Sequence, residues 1–201
     1  MTSLPESLGE VLGSMRFPRP NPKAEEAKRK LEARKSTCSV LPGYEWVDQS
    51  ACDPRALQAV RYHVGDGKPV FLYGNPGAGK TAIAAVIAMD EARRLGEEHD
   101  VDPSVFAPGI WMPATAIVSL IQKARTDKGV LLPGAISEVT EGHIWTRLAR
   151  PKLLVVDDLG VGALSESAYA ILWRLADIRQ KLPTIYTSNL TPTQLKKEYD
   201  D

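Results

Sequence analysis

The sequence predicts an α/β fold: a parallel β-sheet flanked by helices, preceded by a helical N-terminal extension. Three observations carry this. Short β-prone runs at Pro69–Tyr73, Gly109–Met112, Lys152–Gly160 and Pro183–Asn189 alternate with helix-prone segments. A glycine-rich loop, Gly74 to Thr81, joins the first run to a helix. Leu153-Leu154-Val155-Val156 is a continuous apolar run ending in two acids, the pattern of a strand buried on both faces of a parallel sheet.

The chain of 201 residues is long enough for one domain plus an extension. A core of ~150 residues would bury roughly 70% of its unfolded surface. With 25 basic and 25 acidic residues the formal net charge is zero, so bulk charge gives no argument for nucleic-acid binding. Cys38 and Cys52 form no metal-binding spacing and read as idle or buried thiols. No signal peptide is visible, and no apolar run approaches the ~18 residues of a membrane span. A cytoplasmic protein is the expectation.

Residues 1–40 read as an extension. Leu4, Leu8, Val11, Leu12 and Met15 mark one face of a helix over 1–16, weakened by Gly9 and Gly13. A proline-rich connector, Phe17 to Pro22, follows. A charged, helix-prone stretch covers 23–35, either a solvated helix or an arm that docks on a partner.

Residues 41–201 read as the core. Residues 40–52 look irregular. Asp53-Pro54 then supplies an acidic N-cap and a proline at the first helical position. That helix carries Leu57, Val60 and Val64 and stops near Gly65-Asp66-Gly67. After the glycine loop, a helix over 80–95 should close at Gly96. Further helices are expected over 114–125, 137–150 and 165–180, and another starting at Thr191-Pro192. In the 137–150 helix, Val139, His143, Ile144 and Leu148 mark the inner side, with His143 packed or half-buried and not a catalyst.

Gly74-Asn75-Pro76-Gly77-Ala78-Gly79-Lys80-Thr81 matches Gly-x-x-x-x-Gly-Lys-Thr in the strand–loop–helix setting that makes it a phosphate-binding loop. Glycines let the backbone turn tightly and approach an anion. Amides of the loop and of the new helix, which Ala82 continues, carry partial positive charge. Lys80 adds a full charge for the terminal phosphates, and the Thr81 hydroxyl is placed for Mg²⁺. Gly74 through Ala82 are therefore the expected nucleotide-binding set. Asp157 and Asp158 arrive at the carboxyl end of their strand, where open α/β sheets bind ligands. This is a Walker B pattern. Asp157 is the natural partner of Thr81 at Mg²⁺, and Asp158 is suited to orient or deprotonate an attacking water. Asn189, at the polar tip Thr187-Ser188-Asn189, could hold that water or sense the terminal phosphate.

The order of phosphate loop, Leu-Leu-Val-Val-Asp-Asp-Leu-Gly and Pro-Thr-Ile-Tyr-Thr-Ser-Asn-Leu resembles the AAA+ ATPases of the DnaC/IstB group. These are bacterial helicase loaders and transposition helper ATPases. The resemblance covers roughly residues 44 to 199. It implies ATP and Mg²⁺ as ligands, Asp157 and Asp158 as Walker B acids, and Asn189 as sensor I. It also puts Tyr44–Asp48 near the adenine. It implies a protein partner, a replicative helicase or a transposase, gripped in loaders through an N-terminal extension, here residues 1–35. Single-stranded DNA and further copies of the chain are other implied partners.

The family usually continues into an arginine finger and a sensor II arginine, and this chain stops at Asp201. Arg174 and Arg179 do not match the finger position. Two readings therefore stand beside each other. One is an ATPase of helicase-loader type, with a transposition helper as its variant. The other is a catalytically weak, ATP-dependent adaptor that recruits a partner through its N-terminal arm. A small-molecule kinase is a third, without an acceptor motif in its favour.

Overall fold

The computed structural model describes residues 44, 47–99, 109–127, 129–130, 138–161 and 165–200. All belong to one compact unit, Ala33–Asp201. The helices expected over 1–16 and 23–35, the proline-rich connector and Cys38 lie outside the described residues.

A short 3₁₀ turn, Gln49–Ala51, leads in, with the Asp48 side chain capping it through the Ser50 amide at 2.7 Å. Then follow α1 (Pro54–Gly65), β1 (Pro69–Tyr73), α2 (Lys80–His99), β2 (Gly109–Pro113) and α3 (Ala114–Thr126). They are succeeded by α4 (Glu141–Ala149), β3 (Leu153–Leu159), α5 (Glu166–Ile178), β4 (Thr184–Ser188) and α6 (Pro192–Asp200). As the sequence leads one to expect, Asp53 caps α1 by accepting from the Ala56 amide at 2.8 Å, with Pro54 at the first helical position.

The strands form one parallel sheet in the order β1-β4-β3-β2. Helices cover both faces, as parallel connections require. One face packs Leu57, Val60 and Val64 of α1 and Ile83 to Ala88 of α2 against Leu153, Val155 and Ile185. The other packs Ile117 and Ile121 of α3, Ile144 and Leu148 of α4, and Ile171 and Leu175 of α5 against Leu154 and Val156. Alternate residues of β3 thus enter opposite cores, which is why its sequence is apolar without alternation. β1 has one hydrogen-bonded neighbour among the described strands, and all its residues keep some exposure. Cys52 is a buried free thiol.

Three expectations need correction. α2 does not close at Gly96 but runs to His99. A glycine inside a helix costs only about 1 kcal/mol, which a long helix absorbs. The helix expected from residue 137 begins at Glu141, because Val139 pairs as an isolated antiparallel bridge with Val130. His143 is exposed instead of packed; its Nδ1 lies 3.1 Å from the Thr140 hydroxyl in a capping box. A polar ring that can close the first helical turn has no reason to enter the core. Among the described residues, no helix is long and apolar enough to cross a membrane.

Candidate nucleotide-binding site

Loop Gly74–Gly79 leaves the carboxyl end of β1 and turns into α2. Gly74, Gly77 and Gly79 have φ of 149°, 80° and 80°, which side chains with a Cβ rarely adopt. The Ala78 amide donates to the Asn75 carbonyl at 3.1 Å, and the first helical bond runs from the Ile83 amide to the Gly79 carbonyl at 2.9 Å. Amides in the first turn of a helix lack carbonyl partners inside it, and the helix dipole adds positive potential there. Asn75, Pro76, Gly77 and Ala78 are exposed, while Lys80, Thr81 and Ala82 are half-buried. The loop therefore offers its backbone to solvent.

Lys80 Nζ donates to the carbonyls of Gly74 and Asn75 and to Asn189 Oδ1, each at 2.9 Å. The Thr81 hydroxyl donates to Asp157 Oδ1 at 3.4 Å, across 76 positions of sequence. Asp157 is only 4% exposed. Its carboxylate also accepts from the Thr187 hydroxyl. Asp158 is exposed and has φ of 56°. Its carboxyl is pushed above the usual carboxylate range by desolvation first and by the neighbouring Asp157 charge second; Lys80 opposes both.

All the predicted site residues therefore converge at the carboxyl ends of β1, β3 and β4. Thr187 and Ser188 are not among those predicted, yet they are central. The Thr187 hydroxyl also accepts the Asp158 amide at 3.0 Å. Ser188 Oγ donates to the Leu159 carbonyl at 2.6 Å, and its carbonyl accepts the Gly74 amide at 3.3 Å. The tip of β4 thus holds the two acids, the strand after them and the loop. The available signal was a buried strand ending in consecutive polar residues, which must find partners inside the fold.

The donor set fits a nucleoside triphosphate with Mg²⁺. A loop of exposed amides and a lysine suits the phosphates. A hydroxyl facing a carboxylate at the mouth of that loop suits a hard cation. Among the described residues no cluster of three or more His, Cys, Asp or Glu could hold a metal by itself.

The two internal arginines are otherwise engaged. Arg179 is fully buried. It donates to the carbonyls of Ala149 and Pro151 at 3.3 and 2.7 Å, to the carbonyl of Pro183, and to the Thr184 hydroxyl at 3.0 Å. Burial lowers its pKa to about 10. It cements the amino ends of β3 and β4. The Arg174 guanidinium lies 4.5 Å from the centroid of the Trp145 ring and 3.6 Å from Glu141, an exposed stacking position.

No protein-family model matches this sequence, and no curated protein matches it. Solved structures do. AMPPCP-bound DnaA from Aquifex aeolicus is similar over 71% of this chain and 40% of its own, with TM-score 0.55 and 16% identity. A DNA replication initiation factor is similar over 81% of this chain and 48% of its own, with TM-score 0.57 and 16% identity. The DnaC helicase loader is similar over 79% of this chain and 86% of its own, with TM-score 0.53 and 20% identity. The chain thus spans less than half the length of the first two. At such identities the likeness is one of fold. The described core shares with these structures the α/β fold expected from the sequence, a parallel sheet with helices on both faces.

Proposed function

We propose that this chain binds ATP with Mg²⁺ and hydrolyses it to remodel or load a DNA-associated partner, in the manner of a replicative helicase loader. The observation that carries the reading is the meeting of Thr81 and Asp157 at 3.4 Å across 76 positions of sequence, with the adjacent Lys80 held over the loop by the Gly74 carbonyl.

In this reading the loop from Gly74 to Ala82 cradles the phosphates through its backbone amides. The exceptions are Gly74 and Ala78, whose amides are bonded to the Ser188 and Asn75 carbonyls, and Pro76, which has no N–H. Lys80 exchanges its loop carbonyls and Asn189 for terminal phosphate oxygens. Thr81 and Asp157 hold Mg²⁺, which when bound neutralises charge on those oxygens. Asp158, exposed at the mouth of the site, orients the water and accepts its proton. Asn189, released by Lys80, offers its amide to the same water or to the phosphate. Residues 41–201 are the ATPase core and residues 1–40 the extension, whose residues 1–35 grip a replicative helicase or a transposase. Single-stranded DNA and self-association belong to the same proposal. The DnaC helicase loader is among the structures of similar fold, which is the support for the loader reading.

The test is ATP affinity and turnover for the native chain, Lys80→Ala and Asp158→Asn. The reading expects weakened binding in the first variant and slowed turnover in the second. Tight ATP binding with background turnover in the native chain would favour the adaptor. A salt titration of single-strand binding in the presence of ATP tests the DNA partner, and no salt-dependent binding removes it.

A further inference from the structure

β3 and β4 do not pair evenly. Val156 stands opposite Tyr186 and Leu159 opposite Ser188, so β3 advances three residues where β4 advances two. The extra residue lies within Asp157-Asp158, and Asp158 takes the left-handed φ of 56°. Such a bulge bends a strand and re-aims its side chains. Here it buries one acid toward Thr81 and leaves the next exposed beside Lys80.

One side chain bridges both halves of the bulge. Thr187 is 1% exposed. Its hydroxyl proton goes to Asp157 Oδ1 and its oxygen accepts the Asp158 amide at 3.0 Å. The single donor of the hydroxyl and one of its acceptor positions are both used. A left-handed non-glycine residue is held only where its surroundings over-determine it. The Thr187 bond to the Asp158 amide supplies that constraint. The bond to Asp157 fixes the rotamer of the carboxylate that also accepts from Thr81.

We propose that Thr187 is a positioning residue for the hydrolytic site: it locks the bulge and so divides Asp157 and Asp158 between metal binding and water activation. This rests on the nucleotide-site reading above. Groups that orient a metal-binding carboxylate typically account for 10–100-fold in metal affinity or activity. Thr187→Val removes both hydrogen bonds at nearly constant volume, and Thr187→Ser keeps both.

Two measurements test the role. One is hydrogen exchange at the Asp158 amide in the nucleotide-free chain. The other is affinity for a fluorescent ATP analogue in EDTA and in Mg²⁺, together with kcat and KM. In Thr187→Val the amide should exchange about tenfold faster, as a lost hydrogen bond of about 1.4 kcal/mol implies. Affinity in EDTA should stay within about twofold, the gain from Mg²⁺ should fall about tenfold, and kcat should fall about 10–100-fold with KM little changed. Thr187→Ser should restore all three to within about threefold. If Thr187→Val does not fold, Thr187→Ala is read in its place.

An unchanged Mg²⁺ response in the hydroxyl-free variant overturns the role of Thr187 alone. So does a Thr187→Ser variant as impaired as Thr187→Val, since that marks packing as the cause. A native chain that binds no nucleotide overturns the site reading, and this proposal with it.

Discussion

Lys80 Nζ donates to Asn189 Oδ1 at 2.9 Å, linking the phosphate loop to the tip of β4. The lysine is thereby aimed across the mouth of the loop, and the asparagine is held within reach of the same space. Lys80→Ala should weaken ATP binding about 10–100-fold, the worth of a charge-assisted hydrogen bond to phosphate. Asn189→Ala should leave affinity nearly intact and lower kcat at least about tenfold, as removal of a transition-state hydrogen bond does. Equal losses of affinity in both variants would show that Asn189 serves only to hold the lysine.

Asp158→Asn separates binding from chemistry. Its carboxyl is exposed and outside the Thr81–Asp157 contact. The variant should bind ATP within about threefold of the native chain and turn it over about 10²–10⁴-fold more slowly, the usual contribution of a general base. Unchanged turnover, followed by phosphate release, would remove Asp158 from the mechanism.

Gly160→Ala tests how the site end of β3 is packed. Gly160 has φ of 84°, and a Cβ there would lie 2.6 Å from Leu195 Cδ2 and 3.0 Å from Leu190 Cδ1. The backbone strain and the collision with α6 should together cost about 2 kcal/mol or more, read as a fall in Tm of about 5 °C. A variant as stable as the native chain would mean that α6 is not seated against this turn.

Glu141 makes the fold sensitive to acid. Arg125 binds its carboxylate at 2.8 and 3.0 Å and Trp145 Nε1 donates to it at 2.8 Å. These bonds lower its pKa from 4.5 to about 2. A carboxyl whose pKa is lower in the folded state stabilises the fold above its unfolded value and loses that contribution as pH falls. The contribution should be complete above about 4.5 and fade toward about 2. Glu141→Gln should therefore flatten the stability–pH curve in that window, measured by urea unfolding at fixed pH. An identical slope would contradict the assignment.

The loop and the acidic strand were legible because their chemistry is local. Glycine, lysine and threonine at fixed spacing have few other uses, and β3 shows its double burial as an unbroken apolar run. The polar tip Thr187-Ser188-Asn189 was legible as hydrogen-bonding groups beside the acids of β3, but the particular partners of Thr187 and Ser188 were not, since they lie 29 or 30 positions away. Nothing local distinguishes a threonine that holds a bulge from one that ends a strand. The bulge itself was hidden for the same reason: register between β3 and β4 is a tertiary quantity. His143 was misread because its spacing fits the inner stripe of α4, while a capping contact three residues back outweighs that stripe. Arg179 was invisible as a clamp, because its acceptor carbonyls are brought together by the ends of three other elements.

The most direct measurement is calorimetric titration of ATP into the native chain and into Lys80→Ala, each with and without Mg²⁺. The account predicts saturable 1:1 binding by the native chain, strengthened by Mg²⁺, and weakening of about tenfold or more in the variant. No saturable binding of ATP by the native chain, or equal binding by Lys80→Ala, would contradict it.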